Sequence, residues 1–533
     1  MFKTKPQAEA SLAAEVLIDA PALDPGSGPT ASFTRNSVIS VARLFISTLV
    51  ALVLPAYLTR KLPLLTYSAW VLILQMSAYV GYLEFGIQSG ISKYVAEFHA
   101  RRDLHGAAQR ASAGLALMAG MSLAGIVLTL ILAWRVPQLF HAIPPAAYRD
   151  VRLSLIFVGT SLSAALLSSI FSAIFMGLQQ YGVPTVLSLV NRLLYSAVIL
   201  AAVSARSSLA TMGLLVAAVN LLTGGLQYFA WKRMRDRIHV SLRGLDRQIV
   251  RTMLGYCSSL AVWSVGMLCV SGLDLTIVGR YDFPQTAYYS IAVLPTNFML
   301  ALLGAALAPL MPAASALSIH KTPAEMGAML SRYTRYTTIL LLLCGLPLLV
   351  GGESILRLWV GSVYAVHTFP YLRLLVLGNM IRSLCLPYSS FLVATGNQRV
   401  AIVGATAEAV VNLGASIVLV RQFGAIGVAY GTIAGSVVSV AMHFALSMHY
   451  TYPRFSVTRL RLFLGGMVRP ATLTIPSLLL VGKWWRDAPP TLSPVLWAAW
   501  VAGTLLIAWF VCLQEEERLR LLIPLRRVTG TIG

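Results

Sequence analysis

Charge is scarce in this chain, and acid is scarcer. Of 533 residues only 11% are Asp, Glu, Lys or Arg, with 19 acidic against 41 basic residues. With 57% hydrophobic residues and a mean hydropathy of +0.75, this excludes an ordinary soluble globule and predicts a polytopic membrane protein. A net charge of +22 would suggest nucleic acid in a soluble chain. Here the basic residues lie mostly in short loops, so the excess reads as a topology signal and no nucleic-acid partner is expected. The five cysteines all fall in apolar stretches without metal-ligand spacing, so they read as small buried hydrophobes and no metal or other cofactor is expected. Walker, GxSxG and HExxH motifs are missing, which argues against ATP hydrolysis by this chain. Residues 1–35 are polar, with Pro, Gly and Ser, and lack the apolar region of a cleavable signal; they read as a disordered cytoplasmic tail.

What fills the chain instead is long apolar runs. Fourteen can be placed, near 37–58, 66–88, 111–133, 152–176, 184–204, 209–230, 253–279, 286–316, 334–356, 369–394, 400–420, 425–448, 465–482 and 493–513. Most are long enough to cross a bilayer as helices. The fold class expected is all-α integral membrane. Connections are short, the longest being Gly90 to Arg110 and Trp231 to Arg251, so no soluble domain is inserted. With the N-terminus inside, cytoplasmic segments hold 25 Lys/Arg and outer loops 11, which predicts both termini in the cytoplasm. The segment WKRMRDRIHVSLRGLDRQIVR supplies seven of the 25 and reads as a linker that can also meet anionic membrane lipids.

The two sides of that linker look like repeats. Pro63 and Tyr67 recur as Pro284 and Tyr288 at an offset of 221, Gly177 and Gln179 as Gly396 and Gln398 at 219, and Asn191 as Asn412 at 221. A six-span repeat is even, so the halves share orientation about an axis along the membrane normal. The organisation expected is a tail (1–35), an N-lobe (36–230), a basic linker (231–251), a C-lobe (252–450), and two last spans with a cytoplasmic tail (451–533).

Polar residues inside spans are the functional flags. Asn36, Ser40, Arg43 and Ser47 recur at i, i+4, i+7 and i+11 and share one face of the first span. An arginine in hydrocarbon costs about 3 kcal/mol on insertion scales, so that face belongs against protein or water, unless Arg43 snorkels to the headgroups. Arg192 and Arg382 are further intramembrane cations. Arg373 and Arg382 lie nine residues apart on one span and so point to opposite faces, with Arg373 nearer the outer end. Asp274 and Glu408 are candidates for an ion pair with a cavity arginine or for carrying a coupling ion. Gln75, Tyr79 and Tyr82 share a face of span two. Asn412 and Ser416 follow Glu408, and Thr432, Ser436, Ser439, His443 and Ser447 line span twelve. Such hydroxyl stripes serve helix packing or a hydrated path.

Several stretches resemble one family. LTRKLPLLTYSAWVLI, YLEFGIQSGISKYVAEFHARRD, LDLTIVGRYDFPQTAYYSIAVLP, ILRLWVGSVYA, FLVATGNQRVA and EAVVNLGASIVLVRQFGAIGVAYGTIAG occur in the order and spacing of the polysaccharide-exporting flippases of the MOP (multidrug, oligosaccharidyl-lipid and polysaccharide) superfamily. The likeness runs from about Asn36 to Tyr450. It implies two six-helix lobes around a cavity, alternating access, and an oligosaccharide carried on polyprenyl pyrophosphate as the substrate, in the bacterial inner membrane. Polymerase and chain-length proteins are then candidate partners. A diphosphate needs cations in a low-dielectric place, and an arginine fork contacts two of its oxygens. Arg43, Arg382 and Arg192 are the residues this implies, with Asn36, Ser40, Ser47, Gln75, Asn412 and Ser436 as polar cavity lining. The alternatives are a lipid II flippase or a cation-coupled drug exporter; the arginines argue against a cationic substrate. A membrane glycosyltransferase or polymerase would carry carboxylates or metal ligands in a sizeable outer loop. The longest outer loop, Trp134 to Arg152, has one acid, Asp150, and one histidine, His141.

Overall fold

The computed structural model describes residues 50, 52–234, 238–242, 245–308, 310–320, 322–449, 462–472, 492–507, 509, 510 and 518. The chain divides into two units, Met1–Val50 and Ala51–Gly533, and the architecture below is that of the second. Asn36, Ser40, Arg43 and Ser47 lie outside the described residues.

The first lobe comprises α1 (52–61), α2 (Leu64–Tyr82), α3 (Ile87–Ala100), α4 (Leu104–Leu139), α5 (Tyr148–Gly177), α6 (Gly182–Ser204) and α7 (Leu209–Lys232). The second comprises α8 (Arg247–Met267), α9 (Asp274–Tyr281), α10 (Gln285–Leu307), α11 (Leu310–His320), α12 (Pro323–Val360), α13 (Ser362–Ser383), α14 (Leu386–Ala394), α15 (Gln398–Phe423) and α16 (Ile426–Met442). A further helix, α17 (Ser493–Ile507), and the helical turn Leu462–Val468 pack on α12. Ten helical stretches among the described residues are long and apolar enough to cross a membrane. The protein is an all-α integral membrane protein of two pseudo-symmetric lobes.

The symmetry is visible in who packs on whom. In the first lobe α5 packs against α2, α4 and α7, and α7 against α6; in the second, α13 packs against α10, α12 and α16, and α16 against α15. Local chemistry repeats too. The helix before α6 and the helix before α15 both stop at a left-handed residue, Gln179 (φ 59°) and Gly396 (φ 74°). In both, the next N–H reaches back five residues, Gln180 to the Phe175 carbonyl (2.8 Å) and Asn397 to that of Leu392 (2.7 Å). That bonding satisfies carbonyls a helix end otherwise leaves open. It also explains why GLQQ and GNQR are alike in sequence.

Two spans are longer or more broken than hydropathy indicates. The stretch expected as a loop from Gly90 to Arg110 is helical except at residues 101–103. Hydropathy underestimates α3 because only one stripe of it, Ile87, Ile91 and Val95, is buried. Asp103 then starts α4 by accepting the Gly106 N–H at 2.7 Å. Between α2 and α3 the chain turns through Phe85 (φ 47°) and Gly86 (φ 71°), so the two helices are separate elements. The span expected over 253–279 is interrupted by a π-helical turn, Leu268–Gly272, between α8 and α9.

The pair α15–α16 packs most closely. Gly427, Gly431 and Gly435 lie one turn apart on α16 and meet Leu419, Ser416 and Asn412 of α15. A Cβ on Gly435 would sit 2.7 Å from the Asn412 Cβ, so only glycine lets these backbones approach.

Candidate functional site

The second lobe buries a charged network. Arg382, in the last turn of α13, places Nη1 3.5 Å from Glu408 Oε1 on α15, with side chains 21% and 8% exposed. Its Nη2 donates to the Asn379 side-chain oxygen Oδ1 one turn earlier. Asn379 is itself held by donating to the Leu375 carbonyl at 2.8 Å. Asp274, at the start of α9, accepts the Tyr289 hydroxyl at 3.1 Å and lies within the electrostatic reach of Arg382. Ser439 of α16 faces Glu408. One guanidinium thus sits between two carboxylates contributed by different helices. Such a buried pair is costly to desolvate and is worth retaining only when well hydrogen-bonded.

Asn412 lies one turn beyond Glu408 and is 1% exposed, yet neither amide atom finds a partner among the described residues. Ser436 is equally buried and donates to the Thr432 carbonyl at 2.7 Å. His443 meets Ser389 and Ser447, each at 3.3 Å. Among the described residues, no group of three or more His, Cys, Asp or Glu side chains converges as a metal site.

The first lobe has a network at corresponding positions, but a neutral one. Asn191 on α6, the repeat partner of Asn412, donates to Thr223 Oγ1 at 2.9 Å and to Asn220 Oδ1 at 3.4 Å on α7. Asn220 donates to Ser161 Oγ on α5 at 3.0 Å. Ser161 stands 221 residues before Arg382, the same offset as Asn191 to Asn412. Arg192 is exposed next to this network, and Arg373 lies over the Phe369 ring at 5.5 Å. Sequence reading missed Asn379, Tyr289, Asn220 and Ser161. Asn379 carried a signal, being three residues before Arg382 on one helix face; the others depend on which helices become neighbours.

Gln75, Tyr79 and Tyr82 all face the seam between the lobes. Gln75 donates to the Gly272 carbonyl at 2.7 Å, Tyr79 bonds Thr276, and the Tyr82 hydroxyl abuts Gly272. Toward the Pro63/Pro284 end, the seam is pinned by two related contacts. Arg60, at the end of α1, donates to the Trp359 carbonyl near the end of α12 at 3.3 Å. Arg280, at the end of α9, donates to the Gln138 and Leu139 carbonyls at the end of α4 at 3.1 and 3.2 Å. The donors are 220 residues apart and the acceptors Gln138 and Trp359 are 221 apart. Each arginine caps the C-terminus of a helix in the other lobe, where a cation is favoured. Between them Tyr67 and its repeat partner Tyr288 both pack on Tyr364, at ring separations of 6.4 and 5.2 Å, and His367 stacks on Tyr288 at 4.8 Å.

At the other end the seam is closed by α8 against α3 and α4. Met253 and Cys257 join the buried cluster of Ile87, Ile91, Val95 and Met118, and a Cβ on Gly90 would lie 3.3 Å from the Tyr256 ring.

No family model matches the sequence. A candidate O-antigen transporter of Shigella flexneri is 21% identical over 408 residues, 75% of this chain and 93% of that protein. Among solved structures, the lipid II flippase MurJ in an inward closed conformation matches with a TM-score of 0.70 at 13% identity, covering 89% of this chain and 98% of its own. An inward-facing multidrug transporter of the MATE family, of the MOP superfamily, matches at 0.67 and 13% identity over 78% of this chain and 99% of that one. An outward-facing MATE structure matches at 0.57 and 12% identity, over 82% and 100%.

Proposed function

We infer that this chain, a flippase of the MOP superfamily, carries polyprenyl-pyrophosphate-linked oligosaccharide repeat units across the bacterial inner membrane for surface polysaccharide synthesis. The observation that carries the reading is the pairing of two likenesses over most of the chain: a sequence like an O-antigen transporter and a fold like a lipid II flippase. No covalent bond changes in this reading, and polymerase and chain-length proteins act on the product.

In this reading both termini are cytoplasmic, so the end closed by Arg60 and Arg280 faces outward and the end closed by Tyr256 faces the cytoplasm. The lobes alternate about the seam. The glycan follows the polar interior while the polyprenyl tail stays in lipid. Arg43, Arg192 and Arg382 are the cations for the pyrophosphate, beside the polar groups Asn36, Ser40, Ser47, Gln75, Asn412 and Ser436. Arg382 is already engaged by Glu408 and Asn379, so a diphosphate takes it by exchange. The exchange frees a buried carboxylate, and Glu408 or Asp274 then carries the compensating proton or cation. Anion binding and ion coupling are thereby one event.

The test is glycan export in a strain lacking the gene, complemented with wild type, Arg43→Ala or Arg382→Ala at equal membrane abundance. The expected result is loss of surface polysaccharide with lipid-linked units accumulating in the inner leaflet. Units found unpolymerised on the outer leaflet would place the chain after translocation and end the flippase reading. Accumulated lipid II, or lost drug resistance with intact glycan, would transfer it to the lipid II or drug-exporter alternative.

A further inference from the structure

α3 begins after the left-handed turn at Phe85 and Gly86, and its first two turns carry an unusual set of side chains. Gln88 and Ser92 are one turn apart, as are Ser89 and Lys93. With Met176 from the last turn of α5 they line an open cavity of about 350 Å³. Three neutral hydrogen-bonding side chains and one ammonium thus converge on a space large enough for a diphosphate and part of a sugar.

Lys93 has no carboxylate partner among the described residues. The nearest acid along its own helix face, Glu97, is taken by Arg101 at 2.8 Å. The Lys93 ammonium lies instead over the rings of Tyr256 at 4.7 Å and Tyr94 at 5.3 Å. Tyr256 belongs to α8 of the other lobe. Among the described residues the cation therefore meets no carboxylate, and it helps close the seam through a contact that an anion can outcompete. An exposed cation–π contact is worth only about 0.5–1 kcal/mol, less than a charge-assisted bond to phosphate.

We propose that the Gln88–Lys93 cavity binds a phosphoester anion at the membrane surface, and that binding draws Lys93 off Tyr256 and loosens the seam at that end. The anion is the diphosphate of a lipid-linked substrate or the headgroup phosphate of an anionic bilayer lipid. Only the first source rests on the flippase reading; the site itself does not. Ser89, Ser92 and Gln88 donate to the phosphate oxygens while Lys93 supplies charge. Cys257, 3% exposed, reports the loosening because its thiol and the Tyr256 ring both pack at Gly90 across the same seam.

The experiment uses the full chain in nanodiscs of phosphatidylcholine, with two ligands in separate arms: geranylgeranyl pyrophosphate, and phosphatidylglycerol mixed into the bilayer. Wild type, Lys93→Ala, Lys93→Arg and Ser89→Ala are compared for ligand affinity and for the rate of Cys257 alkylation, with the other cysteines replaced. Lys93 is exposed, so its variants are expected to keep the wild-type melting temperature. The expected result is binding that weakens about tenfold or more in Lys93→Ala and stays within about threefold in Lys93→Arg. Ligand should also raise Cys257 alkylation in wild type and leave it unchanged in Lys93→Ala. Lys93-dependent binding in the pyrophosphate arm alone assigns the site to the substrate. The same dependence in the phosphatidylglycerol arm alone upholds the anion site, assigns it to the bilayer, and counts against the flippase reading there. Binding of either ligand that is indifferent to Lys93 overturns the site, and pyrophosphate binding of that kind leaves the flippase reading intact. No binding in either arm overturns the site as well.

Discussion

The two lobes solve the same packing problem with different chemistry. At positions related by 221 residues, the first lobe holds Ser161 and Asn191 in a neutral amide–hydroxyl network. The second holds Arg382 and Asn412, with Glu408 and Asp274 alongside. Neutral groups in a membrane bundle find partners easily and bind helices with modest energy. Charges there are expensive, are paired with one another, and flag function by default. The comparison sets the neutral Asn191 network, a packing device, against the buried Arg382–Glu408 pair at the corresponding place.

The sharpest way to break this comparison is to orphan the guanidinium. Glu408→Ala removes the carboxylate in contact with Arg382, leaving Asn379 and the more distant Asp274, and is expected to cost about 3 kcal/mol, seen as reduced melting temperature in detergent. The paired replacement Arg382→Met/Glu408→Leu should regain most of that stability while export stays absent; regained export would reduce the pair to a packing device. Next in size, Gly435→Val forces α16 away from Asn412 and should cost about 1–3 kcal/mol by thermal unfolding. Asn191→Ala in the neutral network should cost about 1 kcal/mol and leave export near wild type at equal abundance. An export defect as deep as that of Arg382→Ala would erase the distinction between lobes. Smallest in stability is Arg60→Ala, an exposed contact worth about 1 kcal/mol or less. Its readout is maleimide labelling of a cysteine at Tyr364, buried at 9% exposure, which should speed up, and more so in Arg60→Ala/Arg280→Ala.

Much of this was legible in the residues. Apolar runs gave the spans, and Pro63/Pro284, Tyr67/Tyr288 and Asn191/Asn412 gave the duplication. Glu408 and Arg382 were each visible as costly charges in hydrocarbon. Their pairing was open, because periodicity reports the face of one helix and not which helix lies opposite. The same limit hid Asn220 and Ser161, which matter only because α5, α6 and α7 are neighbours. It also hid the arginine-to-carbonyl contacts, since a helix terminus becomes an acceptor only once its end is located. The extent of α3 was missed because a helix with one buried stripe averages to a polar stretch.

The paired arginines have a mechanical consequence. A single contact between two bodies is a pivot, about which they can swing by degrees. Arg60 and Arg280 hold the lobes at two places related by the pseudo-twofold axis, and two pins restrict the swing to rotation about the line that joins them. Either one, broken alone, leaves the other still tethering the opposite side. Full parting of this end of the seam therefore requires the release of both contacts.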